Sequence, residues 1–350
     1  MTMPNDPEAR AATNQPAAYL RLAELLMGSR ITMGLRVVVR TGIPDLLGDA
    51  ARTAAELSET AGIPAPSLRR LLRALSYVGV FREDAEGRFS NTDVSAYLRA
   101  GADPSLREMS LILNDDAVLS GWGQLDRVLE TGAPAFPEVN GKTFFQHIGA
   151  DPGRSENMAR FMKGIYGPEG PRIAAGFPFG RFARLIDIGG GAGNILADIL
   201  RAHPAVAGAV FELPQAADIA QRFLTDQGLA ARSEVVRGDF FQSMVPGYDA
   251  YFIKSVLHDW EDGQSTRILE NCHAAMPAHG RVLITEIVLQ PGKPIGHPHR
   301  FIDLEMMVTL GGKERTAAEF GALLNRANLR LEQVHAIDGS FFSVVEASKA

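Results

Sequence analysis

The residues best suited to chemistry are one histidine and two acids that lie far from it along the chain. His258 stands in Lys254-Ser255-Val256-Leu257-His258-Asp259-Trp260. The apolar residues before it read as a buried strand over 251–254, so the histidine falls just past a strand end. An imidazole titrates near neutrality and is the usual proton acceptor in enzymes. Glu286 ends a second strand-like run, 281–286, and Glu314 lies in Gly311-Gly312-Lys313-Glu314-Arg315-Thr316. An acid beside a histidine orients the ring and supports its charged form. Together the three predict removal of a proton from a hydroxyl. Without those acids a lone histidine reads as an ordinary structural residue.

A second set of residues is spaced to hold a ligand. Leu185-Ile186-Asp187-Ile188 reads as a strand, followed by Gly189-Gly190-Gly191-Ala192-Gly193 and a helix over 195–202. Gly189, Gly191 and Gly193 let the backbone turn and approach a ligand, and the helix start offers free N–H groups. A dinucleotide site needs G-x-G-x-x-G or a final Ala. Asn194 occupies that last place, and an acid sits on the strand, which favours a cofactor without a pyrophosphate. Glu212, about twenty residues on, ends a strand and is placed for vicinal ribose hydroxyls. Asp239 and Phe240, in Gly238-Asp239-Phe240-Phe241, pair a carboxylate with a ring suited to adenine. Lys254 ends a further strand, where its ammonium suits a ligand carboxylate.

The elements that position these residues alternate. Strands at 185–188, 208–212, 233–237, 251–254 and 281–286 are separated by helical stretches, which predicts an α/β doubly wound parallel sheet. Segments 329–336 and 341–346 are expected to add an antiparallel pair around Asp338-Gly339. Residues 1–15 are polar and are expected to be disordered. A helix begins at Pro16, with Leu20, Leu22, Leu25, Leu26 and Met27 on its apolar face, and helix continues over 31–39. Gly42-Ile43-Pro44 breaks it, and 45–48 is a turn. Thr53-Ala54-Ala55-Glu56 is a capping box for a helix ending at Gly62. Ser67 begins another, which Gly79 stops, and a hairpin turns at Asp84-Ala85-Glu86-Gly87. Helix, helix and hairpin form a winged-helix pattern over 16–104. A long amphipathic helix is expected over 105–131, within a helical linker, 105–170, that contributes to a substrate pocket. Gly167-Pro168-Glu169-Gly170-Pro171 precedes the catalytic domain, 171–350.

Composition narrows the functions. The net charge of −6 argues against a general nucleic-acid binder. Arg69, Arg70 and Arg73 would face phosphates if the winged helix bound DNA. The acidic balance favours instead a dimer contact, with those arginines solvated or paired to acids. Cys272 is the only cysteine and lies in a helix-like stretch, as a small core residue does. No Cys/His spacing suggests a metal. The amino terminus lacks the apolar segment of a signal peptide, and no run is long enough to span a bilayer, so the expected location is the cytoplasm.

In order and joint occurrence, these motifs resemble the S-adenosylmethionine-dependent small-molecule O-methyltransferases of the plant caffeate, isoflavone and acetylserotonin type, and their bacterial natural-product branch. The resemblance implies a Rossmann-like methyltransferase sheet with a winged-helix dimerisation domain, and a homodimer. It implies S-adenosylmethionine as cofactor and S-adenosylhomocysteine as product, with no metal. The cofactor would be held by Asp187, Gly189, Gly191, Gly193, Glu212, Leu213, Gly238, Asp239, Phe240, Lys254 and Ser255. His258 would be the base, flanked by Glu286 and Glu314. The acceptor, a small aromatic phenol of secondary metabolism, would meet Trp122, Phe144, Phe161, Met162, Asp259, Trp260, Asp303, Met306 and Met307. The last three lie on or beside a helix expected over 301–310. The family usually has Asp where this chain has Glu212. Two alternatives remain at this level. One keeps the cofactor but methylates nitrogen or carbon, or turns the site to hydroxylation or decarboxylation. The other is a winged-helix regulator whose α/β domain senses a ligand.

Overall fold

The computed structural model describes residues 16–292 and 299–350, so the disorder expected of residues 1–15 lies outside the described residues. Two compact units are interleaved along the chain. The first takes the residues through Leu119 together with Phe145–Ile165, and the second takes Ser120–Phe144 and Tyr166–Ala350.

The first unit opens with helices Ala17–Leu26 and Gly28–Arg40. Gly42-Ile43-Pro44 does more than interrupt: Gly42 is left-handed at φ 67° and Pro44 sits in the first turn of a new short helix, Ile43–Leu47. Proline is tolerated there because the first N–H groups of a helix have no partner inside it. The capping box forms as expected. Thr53 Oγ1 accepts from Glu56 N at 3.2 Å, and Glu56 accepts from Thr53 N at 2.6 Å. The next helix, Ala65–Tyr77, begins two residues before the expected Ser67, with Pro66 in its first turn. β1 (Arg52–Thr53), β2 (Phe81–Glu83) and β3 (Arg88–Asn91) make a small sheet in the order β1-β3-β2. Leu57, Leu68, Leu72, Phe81 and Phe89 bury its core. Arg73 and Arg69 reach Glu83 at 3.2 and 3.9 Å, so two of the three arginines considered for DNA pair with an acid of their own hairpin.

The single helix expected over 105–131 is three: Arg107–Leu113, Asp116–Trp122 and Leu125–Thr131. Asn114 leaves helical geometry at φ −109° and ψ 20°. Asp115 Oδ1 then accepts from Ala117 N at 2.9 Å and starts the second helix. A short polar side chain competes well for backbone groups, and this one ends the run that the leucine spacing would have continued.

The second unit is built on β4 (Arg184–Ile188), β5 (Ala207–Glu212), β6 (Ser233–Arg237), β7 (Ala250–Lys254), β8 (Arg281–Glu286), β9 (Val288–Leu289), β10 (Arg315–Thr316), β11 (Leu329–Ala336) and β12 (Ser343–Lys349). Seven of them form one sheet in the order β11-β12-β8-β7-β4-β5-β6. β4 through β8 pair in parallel, and β12 and β11 run antiparallel at one edge. Alternate residues feed different cores: Ile186, Ile188, Ile253 and Ile284 face one, and Leu185, Val210, Phe252 and Leu283 the other. A strand covered on both faces needs a near-continuous apolar run, which β7 has over 250–253 and β4 has but for Asp187. Each fully buried aliphatic side chain contributes about 1.5–3 kcal/mol relative to exposure.

β12 begins two residues later than expected. Phe342 N donates to Ser340 Oγ at 3.0 Å, which keeps Phe341 and Phe342 in the turn. The order of strands matters most for function. β4, β5 and β6 are laid down in one direction, and the chain then returns to place β7 on the other side of β4. The reversal opens a crevice beyond the carboxyl ends of β4 and β7, the usual ligand position in such sheets.

Candidate active site

The glycine turn after β4 and the histidine turn after β7 meet at this reversal. Gly189, Gly191 and Gly193 have φ of 68°, 57° and 84°, a region that other residues enter only with strain. A Cβ on Gly189 would stand 2.9 Å from Val256 in the neighbouring turn, whereas the space beside Gly191 is open. Asp187 is 2% exposed, and its Oδ2 has no hydrogen-bond partner. Burial pushes its pKa up to about 7, against the pull of Lys254 and with a further push from Glu212. Glu212 accepts from Gly191 N at 3.1 Å and from Leu213 N at 2.8 Å, so its carboxylate leans onto the loop. Asp239 Oδ1 accepts from Phe241 N at 2.8 Å. Gly238 leaves room for the Phe211 ring, 2.4 Å from where a Cβ would be. An orphaned buried carboxylate oxygen beside an open glycine cradle fits a polar ligand that brings hydrogen-bond donors.

Lys254 is enclosed rather than free at the crevice. Its Nζ lies 4.2 Å from the ring centre of Tyr166 and 4.4 Å from that of Phe342, and it donates to Ser255 Oγ at 3.1 Å. Burial lowers its pKa to about 8, opposed by Asp187, Glu286 and Glu169. Neither ring could be anticipated, because both come from segments remote from the motif. Ser255 turns the chain out of the strand at φ 52°, which for a residue with a Cβ costs on the order of 1–3 kcal/mol.

His258 sits in a tight turn, Leu257–Asp259, and is 8% exposed. Its Nδ1 lies 2.8 Å from Glu314 Oε1, and its Nε2 lies 3.4 Å from Asp259 Oδ1. Burial alone would lower the ring's pKa, but Asp259, Glu314 and Glu286 raise it to about 10. Asp259 is itself pushed up to about 6, first by burial, with His258 opposing and Glu314 adding to the rise. Glu286 does not touch the imidazole. Its Oε1 accepts from the backbone N–H of His258 at 3.0 Å and of Val256 at 3.3 Å, so it holds the turn and not the ring. Burial raises its pKa to about 7 against the pull of His258. Asp303 also meets a backbone group: its Oδ1 accepts from Glu314 N at 2.8 Å and anchors the acid that grips the histidine. Gly312 abuts the turn so closely that a Cβ there would lie 1.9 Å from the His258 carbonyl oxygen. Arg315, to which the sequence assigned no role, is fully buried.

Residues 122–330 match the family model described as the O-methyltransferase domain, and residues 23–101 match the O-methyltransferase dimerisation domain. The chain belongs to the O-methyltransferase family. It is 35% identical to the phenazine O-methyltransferase of Lysobacter antibioticus over 93% of this chain and 95% of that relative. Its fold is similar to the solved mitomycin 7-O-methyltransferase, with a TM-score of 0.89 at 34% identity over 98% of this chain and 100% of the other. It is also similar to an O-methyltransferase of neocarzinostatin biosynthesis, solved with S-adenosylmethionine and 2-hydroxy-5-methyl naphthoic acid. There the TM-score is 0.82 at 34% identity, over 91% of this chain and 96% of the other.

The aromatic and sulfur residues expected to line an acceptor pocket of this methyltransferase divide in use. Trp122 donates from Nε1 to Glu305 at 2.6 Å and packs with Val128, Ala135, Met307 and Val308. Phe144 meets Phe136 edge-on at 5.6 Å. Those contacts are core packing, the plainer role for such residues. Trp260 stands edge-on to Phe241 at 4.8 Å, beside Phe240. Met306 and Met307 lie on helix His299–Thr309. Phe161 and Met162 are on helix Pro152–Tyr166, in the first unit. Among the described residues, no group of three or more His, Cys, Asp or Glu could hold a metal ion. No helix among them is long and apolar enough to cross a membrane.

Proposed function

We propose that the protein transfers a methyl group from S-adenosylmethionine to a phenolic hydroxyl of a small aromatic natural product, with His258 as the base. The observation that carries this reading is the 2.8 Å contact of Glu314 with His258 Nδ1. It leaves Nε2, 3.4 Å from Asp259 Oδ1, as the ring nitrogen that would face an acceptor. The residues fit the cofactor. Asp187 and the glycines 189, 191 and 193 would hold its methionine part, and Glu212 with Leu213 the ribose. Gly238, Asp239 and Phe240 would hold the adenine, and Ser255 the carboxylate region, where the enclosed Lys254 would act through its charge alone. The extra methylene of Glu212 still suits a ribose, since its carboxylate already folds back to Gly191.

S-adenosylmethionine supplies a methyl group on a cationic sulfur, already activated for attack. The protein's task is then to align a hydroxyl and take its proton. A phenol has a pKa of about 10 and is a weak nucleophile while protonated. His258, its pKa raised to about 10, would accept that proton in its neutral form. Glu314 keeps Nδ1 engaged throughout and steadies the imidazolium. The positive charge that leaves the sulfur ends on the His258 imidazolium, and Phe240 and Trp260 supply apolar surface nearby.

The same reading makes the protein a homodimer that works in the cytoplasm. Helix Ala17–Leu26 buries none of its residues within the chain, and Tyr19, Leu22, Leu25 and Leu26 are 57–68% exposed. Such a patch fits a partner surface. A monomer by light scattering overturns the dimer.

His258→Ala tests the base. Turnover should fall by about 10²–10⁴-fold while cofactor affinity by calorimetry is kept. A parental rate overturns the assignment. Phenolic acceptors screened with labelled cofactor and read by mass spectrometry identify the acceptor, and label found on nitrogen or carbon overturns the hydroxyl reading.

A further inference from the structure

Arg315 is the largest of the fully buried side chains, with 0% exposure. Arginine is almost never buried without partners, and here the partners share one location. Nη1 donates to the carbonyl oxygen of Leu257 at 2.9 Å, and Nη2 to that of Trp260 at 3.0 Å. Nε and Nη2 both reach Asp262 Oδ1, at 3.2 and 3.0 Å. Nη2 also contacts Ser265 Oγ at 3.3 Å, and that hydroxyl lies 3.1 Å from the Leu257 oxygen and 3.3 Å from the Trp260 oxygen. Leu257 and Trp260 bracket the turn that carries His258.

We propose that Arg315 is a positioning residue for proton removal: its guanidinium clamps the Leu257 and Trp260 carbonyls and so sets the direction in which His258 points. The proposal rests on His258 being the base. Three relationships support it. First, neighbouring residues divide the work, Glu314 gripping the ring and Arg315 the backbone beneath it. Second, the segment that carries them is itself held, since β10 pairs Arg315 with Val288 of β9, two residues past Glu286. Glu286 in turn binds the N–H of His258. The turn is therefore gripped by its N–H groups on one side and its carbonyls on the other. Third, a buried charge is poor at stabilising a fold, because apolar side chains of the same volume often do as well. What it adds here is direction. The planar fork holds two carbonyls in a fixed geometry, which the compact, rotatable ammonium of a lysine does not impose.

Arg315→Lys tests this, because it keeps the charge and removes the fork. Histidine-labelled protein is titrated by NMR, with His258→Ala assigning the signal. Turnover is read on a phenolic acceptor from the labelled-cofactor screen. In a folded R315K the His258 midpoint should fall by about one unit or more toward its ordinary value of about 6.5, as the ring loosens from Glu314. Turnover should fall roughly 10- to 100-fold, with acceptor KM and S-adenosylmethionine affinity within about twofold, because small misplacements of a reacting group cost that much. A role limited to charge or stability leaves the midpoint where it is. A parental midpoint together with parental turnover overturns the proposal. If R315K does not fold, Ser265→Ala takes its place: it removes the second group on the same carbonyls and should move the midpoint the same way, and a parental midpoint again overturns the proposal. Failure of the base reading is distinguishable, since it shows as parental turnover in His258→Ala, whereas the NMR midpoint tests the clamp on its own.

Discussion

Glu314 Oε1 stands 2.8 Å from His258 Nδ1, and Asp303 holds the backbone of that same glutamate at 2.8 Å. The acid that orients the ring is thus itself oriented. Replacing it with Gln keeps the shape and removes the charge that raises the imidazole's pKa. If the neutral ring is the base, as proposed, activity of the wild type should climb with pH from neutrality toward about 10. In Glu314→Gln the climb should begin at lower pH, with maximal turnover reduced by about 10- to 100-fold. Profiles of kcat/KM between pH 6 and 10 check both points.

The raised pKa also bears on stability. A histidine whose folded pKa exceeds its unfolded value stabilises the fold fully below the unfolded value, about 6.5, and that contribution is lost as pH rises through the folded one, about 10. The melting temperature of the wild type should therefore fall more steeply between pH 7 and 10 than that of His258→Ala. Calorimetric melts across that window measure it.

Glu286 and Glu314 should respond differently to the same change. Glu286 accepts two backbone N–H groups through Oε1, and a glutamine oxygen can do the same. Glu286→Gln is expected to keep turnover within about tenfold of the parent. Losses equal to those of Glu314→Gln, measured side by side, would show that the ring contact is not special.

Asp187 is held in the fold at a cost. Burial raises its pKa to about 7, so at higher pH it is an ionised carboxylate with one oxygen unpartnered. An acid with a raised folded pKa destabilises the native state increasingly as pH rises from its unfolded value, about 3.9, through the folded one. Asp187→Asn should raise the melting temperature of the cofactor-free protein at pH 8 by about 2–4 °C per kcal/mol relieved. It should also abolish S-adenosylmethionine binding by calorimetry. A lower melting temperature, or retained affinity, contradicts this.

The sheet and the glycine turn were legible because their signals are local. β7 is an apolar run and β4 one broken only by Asp187, and the glycines of the turn take φ values that other residues enter only with strain. The clamp on His258 was not legible. A charged residue in Gly311-Gly312-Lys313-Glu314-Arg315-Thr316 reads as a surface residue until Leu257, Trp260 and Asp262 are brought to it across some fifty positions. The backbone contacts of Glu286 and Asp303 were not legible for a related reason. Residue type shows that an acid is present, but not whether it meets a side chain or a backbone N–H. The helix over 105–131 failed at Asp115, where one side chain outweighed a good leucine pattern.

The chain leaves the first unit after Leu119, returns at Phe145 and leaves again after Ile165. No single cut therefore separates the two units. A truncation at any one junction strands a helical piece of one unit on the other, and so does a crossover that exchanges the front half of this protein with that of a relative. Segments 120–144 and 145–165 are neighbours in the gene but belong to different units, so an exchange that moves one need not move the other.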